Sequence, residues 1–340
     1  MDAIVIGAGI IGLSIAWRLS QRGLPVTLLD AGKVGGEASW AGAGMLAPGG
    51  EVTERTQLSD FTLHSHRLYP EFIAELREES GCPVDYQRNG AIETTASEAD
   101  WAALLERAER QKELGIPSIP AGRDNALLYP EDAAVDPRDV THALLAACRA
   151  RQVIVHEGLP VRGIYAVQGS MAVETQTGRL TAALAVLAAG AWSGSIPFTI
   201  DGTPQRLPGS FPVRGHLIGY RLPPGACRTI LRQGHTYILQ RSNGFTIAGT
   251  SMETVGYDRR IDWDVVNQIA GRAEALLPQL RQAGKPEAWI GFRPRADAHQ
   301  PQIRRFEDSG LWLAYGHFRN GILLAPATAE RVTREIMLSR

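Results

Sequence analysis

Residues 3–6 are a short, fully apolar run that stops at the glycine-rich turn GAGIIG, after which Ile15, Ala16 and Leu19 recur at helical spacing. An unbroken apolar run bounded by glycine reads as a buried parallel strand, and the switch to a 3.6-residue period as the helix that follows it, here about four turns long. Gly23 closes the helix, and residues 26–29 form a second strand that ends at Asp30. Residues 59–80 repeat the helical spacing through Phe61, Leu68, Phe72 and Leu76, ended by Gly81. Residues 84–95 read as two strands turning at Asn89-Gly90, a hairpin signal. Ser97 then caps a helix running through Trp101, Leu104, Leu105 and Ala108 to Gly115, with Glu98 and Asp100 in its first turn. Residues 117–130 read as irregular, and Asp136-Pro137 opens another helix with Val140, Leu144, Leu145 and Cys148 on its apolar side.

The second half alternates between two kinds of sheet. Residues 153–156 read as a strand and residues 161–181 as a meander turning at Gln168-Gly169 and Thr177-Gly178. Residues 185–193, AVLAAGAWS, are small and apolar, as suits a central parallel strand that brings backbone close to a ligand. From residue 211 to 251 apolar and polar residues alternate, with a turn at Asn243-Gly244, which predicts antiparallel sheet. An amphipathic helix over 262–277 ends at Pro278. Strands follow at 288–292, before Arg293-Pro294, and at 302–304 and 311–315; from Asn320 onward the spacing is helical. The α/β segments at both ends and in the middle, with antiparallel segments between them, predict two domains that share a chain crossing several times.

With 340 residues there is enough chain for two hydrophobic cores, and 44% apolar residues require no disordered region. Thirty-five Lys and Arg against 36 Asp and Glu leave no electrostatic footprint for nucleic acid or an anionic membrane. Cys82, Cys148 and Cys227 are odd in number and widely spaced, which indicates neither a disulfide framework nor a metal site. The longest apolar run, residues 180–192, is broken by Thr181 and Gly190 and is shorter than the ~20 residues of a membrane span. No basic leader precedes the first strand, so a cytoplasmic protein is expected.

Gly7, Gly9 and Gly12 stand at GxGxxG spacing between the first strand and helix. Gly7 permits the sharp turn, Gly9 lets backbone approach a pyrophosphate at the helix N-terminus, and Gly12 lets helix and strand pack closely. Asp30, eighteen residues past Gly12, can accept hydrogen bonds from an adenosine ribose diol and disfavours a 2'-phosphate. These features predict a bound adenine dinucleotide, NAD or FAD. The small-residue stretch that follows, with Ser39, Met45 and Ala47, suits either a linker or a chain lying along a flat ligand. At the far end, GHFRNG leads into the last helix, whose N-terminus would stabilise the anionic ring of a reduced flavin.

Taken together, DAIVIGAGIIGLSIAWRLSQRG, SWAGAGMLAP, VLAAGAWSG, HTYIL, GFRP and GHFRNGILLAPAT resemble the D-amino-acid oxidase family of flavoproteins, and within it the glycine oxidases of thiamine biosynthesis. The resemblance runs end to end and is weakest over residues 96–135. It implies an α/β fold with a Rossmann-like FAD-binding domain (residues 1–80, 137–202 and 289–340) and an interleaved antiparallel-sheet substrate domain (81–136 and 203–288). FAD contacts carry over to Gly7, Gly9, Ile10, Ile11, Gly12, Asp30 and Ala31, to Ala38, Ser39, Ala43, Gly44 and Met45, to Val161, and to His317, Phe318, Arg319, Asn320, Gly321, Ile322 and Leu323. Asp30 replaces the family's usual glutamate, and Ala38 stands where a hydroxyl residue is common. The resemblance assigns the substrate carboxylate to Arg293 and Tyr237, with His235, Met252 and Arg319 beside them. Some relatives attach flavin to a cysteine in the C-terminal third; no cysteine follows Cys227, so noncovalent FAD is expected.

Amino-acid oxidation to an imine needs the α-hydrogen held against a flavin and no strong base if the amine arrives neutral, so orientation and electrostatics fall to the protein. The expectation is an oxidase of glycine, sarcosine and small D-amino acids, with molecular oxygen as acceptor and hydrogen peroxide as a product, assembled as a homo-oligomer, a tetramer by resemblance. The alternatives are a glycine dehydrogenase that reduces a quinone, another D-amino-acid or N-methyl amino-acid oxidase, a non-enzymatic FAD-binding interaction protein, and an NAD-dependent dehydrogenase.

Overall fold

The Ala3–Ile6 strand pairs in parallel with Val26–Leu29 on one side and Leu184–Leu187 on the other, which puts the glycine turn at the centre of a six-stranded sheet. The structure, a computed structural model, describes residues 2–297 and 300–339. The sheet order is Gln302–Arg305, Leu311–Tyr315, Leu184–Leu187, Ala3–Ile6, Val26–Leu29, Ile154–His156, and only the first of these runs antiparallel to its neighbour. Alternation along Ala3–Ile6 sets the layers. Ala3 and Val5 pack against the helices, and Ile4 and Ile6 against the opposite layer. Each large aliphatic side chain buried in this way contributes ~1.5–3 kcal/mol.

The helix layer comprises Ile10–Gln21, Gln57–Ser80, Pro137–Ala150 and Gly321–Leu338. The first has 12 residues, somewhat fewer than expected, because Arg22 and Gly23 turn the chain. The opposite layer is a five-stranded sheet that contains the expected meander, with its strands at Val161–Val167, Ser170–Thr175 and Gly178–Ala182. Pro326 lies inside the last helix and cannot donate to the Ile322 carbonyl. The hydroxyl of Tyr69 donates to that carbonyl instead, and Ser65 donates to the next, Leu323 O, while accepting from Ala327 N–H. The helix therefore keeps its first turn in place despite the proline.

An eight-stranded sheet forms the other half, in the order Glu287–Ala296, Ser210–Arg221, Phe245–Gly249, Thr236–Gln240, Ile230–Gln233, Ala91–Thr94, Ala126–Tyr129, Ile119–Pro120. It corrects three expectations. Asn89-Gly90 does not join a hairpin: Tyr86–Gln87 pairs with Ala133–Val135 in a small three-stranded sheet, while Ala91–Thr94 pairs with Ile230–Gln233 and Ala126–Tyr129. The stretch 117–130 contains two strands. Residues 289–296, expected with the dinucleotide unit, pair along the Ser210–Arg221 strand as one continuous strand through Arg293 and Pro294. Among the described residues no helix is long and apolar enough to cross a membrane.

Candidate active site

A cavity of about 730 Å³ lies where the two large sheets meet, within the ~300–1,000 Å³ usual for cofactor and small-molecule sites. One part of its wall is the first turn and strand ends, Gly7, Gly9, Ile10, Ile11, Asp30 and Ala31, together with Val161. Gly7 is at φ +100°, and a β-carbon there would come within 2.5 Å of the Ala188 carbonyl oxygen, so only glycine fits. Both oxygens of Asp30 already accept backbone N–H bonds, from Ala8 at 2.7 Å and Gly32 at 2.8 Å. Those two amides fix the carboxylate at the wall and leave each oxygen a lone pair for a diol. Burial, opposed by the two amides, raises the Asp30 pKa above its ordinary value.

Ser39 sits on a short helix, Ala38–Ala41, in the stretch expected to be a loop. Its Oγ accepts the Ile10 N–H at 2.9 Å, which caps the first helix and leaves the hydroxyl proton free to donate. Ala38, Ala43, Gly44 and Met45 continue the wall. At Gly44, φ is +84° and a β-carbon would collide with the Val135 carbonyl.

The C-terminal turn supplies His317, Phe318, Arg319, Asn320, Gly321 and Ile322. Phe318 adopts φ +51°, and its N–H donates to Pro294 O at 2.8 Å, tying the turn to the strand that carries Arg293. His317 is buried, with Nε2 3.1 Å from Thr328 Oγ1. Burial pulls its pKa down to about 3, so the ring is neutral at physiological pH.

Arg293 and Tyr237 meet in the same cavity. Arg293 Nη1 donates to Ser251 O at 3.0 Å and Nη2 to Thr250 Oγ1 at 2.7 Å, and among the described residues it forms no ion pair. Its guanidinium lies over Gly215, where any β-carbon would collide with it. Burial lowers its pKa, opposed by Tyr237 and reinforced by Arg319. Burial likewise raises the Tyr237 phenol, so it stays a neutral donor. Arg319 lines the cavity too, but its Nη2 donates to Glu51 Oε1 at 2.7 Å.

Four expected site residues do not line the cavity. His235 is exposed in the turn before the Thr236–Gln240 strand, and Met252 is 56% exposed on the chain leaving Phe245–Gly249. Leu323 points into the core behind the turn. Gly12 acts one layer back: a β-carbon there would collide with the Gly7 carbonyl, so its absence sets the helix-to-turn distance. Sequence reasoning missed Glu51, Thr250 and Gly215. Thr250 was within reach, because Tyr237 pairs across the sheet with Gly249, which places the next residue beside it. Cys82, Cys148 and Cys227 are free thiols, and none is on the cavity wall.

A family model described as DAO, FAD dependent oxidoreductase, matches residues 2–335. The chain belongs to this family of FAD-dependent oxidoreductases. The oxidoreductase is 30% identical to a glycine oxidase of Bacillus licheniformis over 99% of this chain and 93% of that protein. It is 32% identical to the bifunctional protein ThiO/ThiG of Synechocystis sp., over 99% of this chain and 51% of the longer protein. Among solved structures, glycine oxidase from Geobacillus kaustophilus superposes with a TM-score of 0.91 at 26% identity, covering 99% of this chain and 94% of that one.

The cavity of the oxidoreductase fits FAD in chemistry as well as in volume. A helix N-terminus behind a side-chain-free Gly9 suits the pyrophosphate, and the anchored Asp30 carboxylate suits a ribose. The Ala41–Met45 wall and the N-terminus of the Gly321–Leu338 helix offer small residues and a positive helix end to a flat ring.

Proposed function

We propose that this oxidoreductase deaminates glycine oxidatively, together with sarcosine and small D-amino acids, using noncovalent FAD and molecular oxygen. The products are the 2-oxo acid (glyoxylate from glycine), ammonia or the amine, and hydrogen peroxide. The observation that carries this reading is Arg293, a half-buried cavity arginine with no carboxylate partner among the described residues, set beside a neutral Tyr237. A planar guanidinium with hydrogen-bonding capacity to spare is suited to a bidentate grip on a substrate carboxylate, each such charged bond contributing ~1.5–3 kcal/mol. Tyr237 donates a further bond. Bound FAD supplies the oxidant that takes a hydride from the substrate's α-carbon. The protein's share is to hold that carbon in place and exclude water; with the amine neutral on arrival, no side chain has to act as a strong base.

The relatives named glycine oxidase support a small substrate, and the relative named ThiO/ThiG supports a role in which the imine feeds thiazole formation for thiamine. Substrate size is the finest part of the reading, since one methylene in a pocket is worth only ~1–3 kcal/mol. We place the enzyme in the cytoplasm as a homo-oligomer, a tetramer by its resemblance. A peroxide-coupled screen of glycine, sarcosine, D-alanine, D-proline and bulkier D- and L-amino acids tests the proposal. Glycine and sarcosine should rank with or above the larger substrates. A bulky D-amino acid turned over far faster than glycine overturns the narrow reading, and dye reduction without peroxide moves the acceptor from oxygen to a quinone.

A further inference from the structure

Arg293 is held by two groups on one short segment, the Ser251 carbonyl and the Thr250 hydroxyl, and that segment is fixed from behind by a partly buried polar cluster outside the cavity. The cluster begins on the Ser210–Arg221 strand. Because strand residues alternate, Gly215 faces the cavity and makes room for the Arg293 guanidinium, while Arg214 and His216 face the other way. Both are buried, at 5% and 0% exposure.

The hydrogen bonds of the cluster leave little freedom. His216 Nε2 accepts the Asp262 backbone N–H at 3.0 Å, so the ring proton sits on Nδ1 and is donated to Glu253 Oε1 at 2.9 Å. The other Glu253 oxygen, Oε2, takes two bonds from the Arg214 guanidinium. Arg214 Nη1 is filled by the Arg260 carbonyl at 3.0 Å and the Asp258 carboxylate at 3.3 Å. Ser251 Oγ donates to Glu253 Oε1 and accepts the His216 backbone N–H at 2.9 Å, and Thr250 Oγ1 donates to the His216 carbonyl at 2.9 Å. Arg214 and Glu253 also exchange both backbone hydrogen bonds at 2.9 Å. Thr250, Ser251 and Glu253 are therefore pinned through their side chains, and Glu253 through its main chain as well, and Thr250 and Ser251 present their oxygens to Arg293.

We propose that Glu253, His216 and Arg214 are positioning residues for Arg293, setting the geometry of the carboxylate clamp through Thr250 and Ser251 without touching the substrate. Apolar residues of similar volume would generally stabilise a fold at least as well as a buried ion network does. What the network provides here is direction: a carbonyl and a hydroxyl aimed at two different nitrogens of one guanidinium. An Arg293 released from them would meet a carboxylate in many orientations and bind it less tightly.

The inference rests on Arg293 being the carboxylate clamp, and a double-mutant cycle separates the two claims. The probe is acetate, glycine without its amine, with its dissociation constant read from the absorption change of the FAD-loaded protein. Arg293→Lys should weaken acetate at least tenfold. Glu253→Gln keeps the shape but sets an amide donor against Arg214, and should weaken acetate about tenfold. In the Arg293→Lys background the same change should cost less than twofold. Ser251→Ala, which keeps the carbonyl, is the milder second variant in case Glu253→Gln folds poorly, and it should weaken acetate a few-fold with the same loss of effect in that background. For both positioning variants the KM for glycine should rise by a larger factor than kcat falls. Equal weakening in both backgrounds overturns the positioning role and leaves the clamp standing. Unchanged acetate affinity in Arg293→Lys overturns the clamp and with it the positioning role.

Discussion

The Arg319 guanidinium donates to the Glu51 carboxylate at 2.7 Å, inside the cavity that also holds Arg293. Of the two arginines that face the site, one has a carboxylate partner within the protein and the other, among the described residues, has none. Their roles are therefore unequal. Arg293→Ala should raise the KM for glycine at least tenfold, in line with the loss of a bidentate charged contact of ~1.5–3 kcal/mol per bond. Arg319→Ala, which removes a partly exposed pair, should raise it less than about threefold. Steady-state peroxide assays on the two variants check this, and a larger effect at Arg319 would reverse the assignment.

Gly44 is the tightest point of the wall expected to lie along the flavin. An Ala there meets both a positive φ and the Val135 carbonyl, whereas Gly23, at φ +77°, has nothing within 4 Å of its β-carbon position. Gly23→Ala should cost only the conformational penalty, about 1 kcal/mol. Gly44→Ala should cost more than that and lose FAD on dilution. Thermal melts and FAD retention after gel filtration compare them; equal stability in the two variants would show that the wall yields around Gly44.

Much of this architecture was legible because it rests on local signals. The strand, turn and helix from Ala3 to Gln21, the Ser97 cap, the helix that begins at Asp262, and the meander turns at Gly169 and Gly178 are each decided within a few residues, and the structure has them where the sequence signals put them. Pairing between distant strands was not legible. The turn signal at Asn89-Gly90 is real, and Gly90 does adopt φ +74°, but the strands on either side find better partners some 30 to 140 residues away. Within the site, Arg293 and Tyr237 were assigned through motif resemblance, whereas His235 and Met252, assigned through the same resemblance, are exposed outside the cavity. The Glu253–His216 contact spans 37 residues and leaves no periodic trace in the chain.

His317 gives a pH signature with a fixed sign. Below the ordinary imidazole value of 6.5, an unfolded chain takes up a proton at this position that the folded chain refuses until about pH 3. Its contribution to stability is therefore complete above pH 6.5 and is lost as pH falls toward 3, at up to about 1.4 kcal/mol per pH unit. His317→Asn can still bond Thr328 and has no such proton. Denaturant melts between pH 7.5 and about 4.5 should show the wild type losing stability faster than the variant below pH 6.5, with parallel curves above it. Parallel curves throughout would mean that the imidazole is protonated in the folded protein.

The central claim is that the cavity holds FAD with a small amino acid's α-hydrogen presented to it by Arg293 and Tyr237. Adding glycine anaerobically to the purified, FAD-loaded protein tests it most directly, since this isolates the transfer from substrate to flavin whatever the acceptor. The expected result is loss of the oxidised flavin's visible absorption in wild type, with the required glycine concentration raised at least tenfold in Arg293→Ala. A visible spectrum unchanged at saturating glycine, or bleaching equally sensitive in the two proteins, would contradict it.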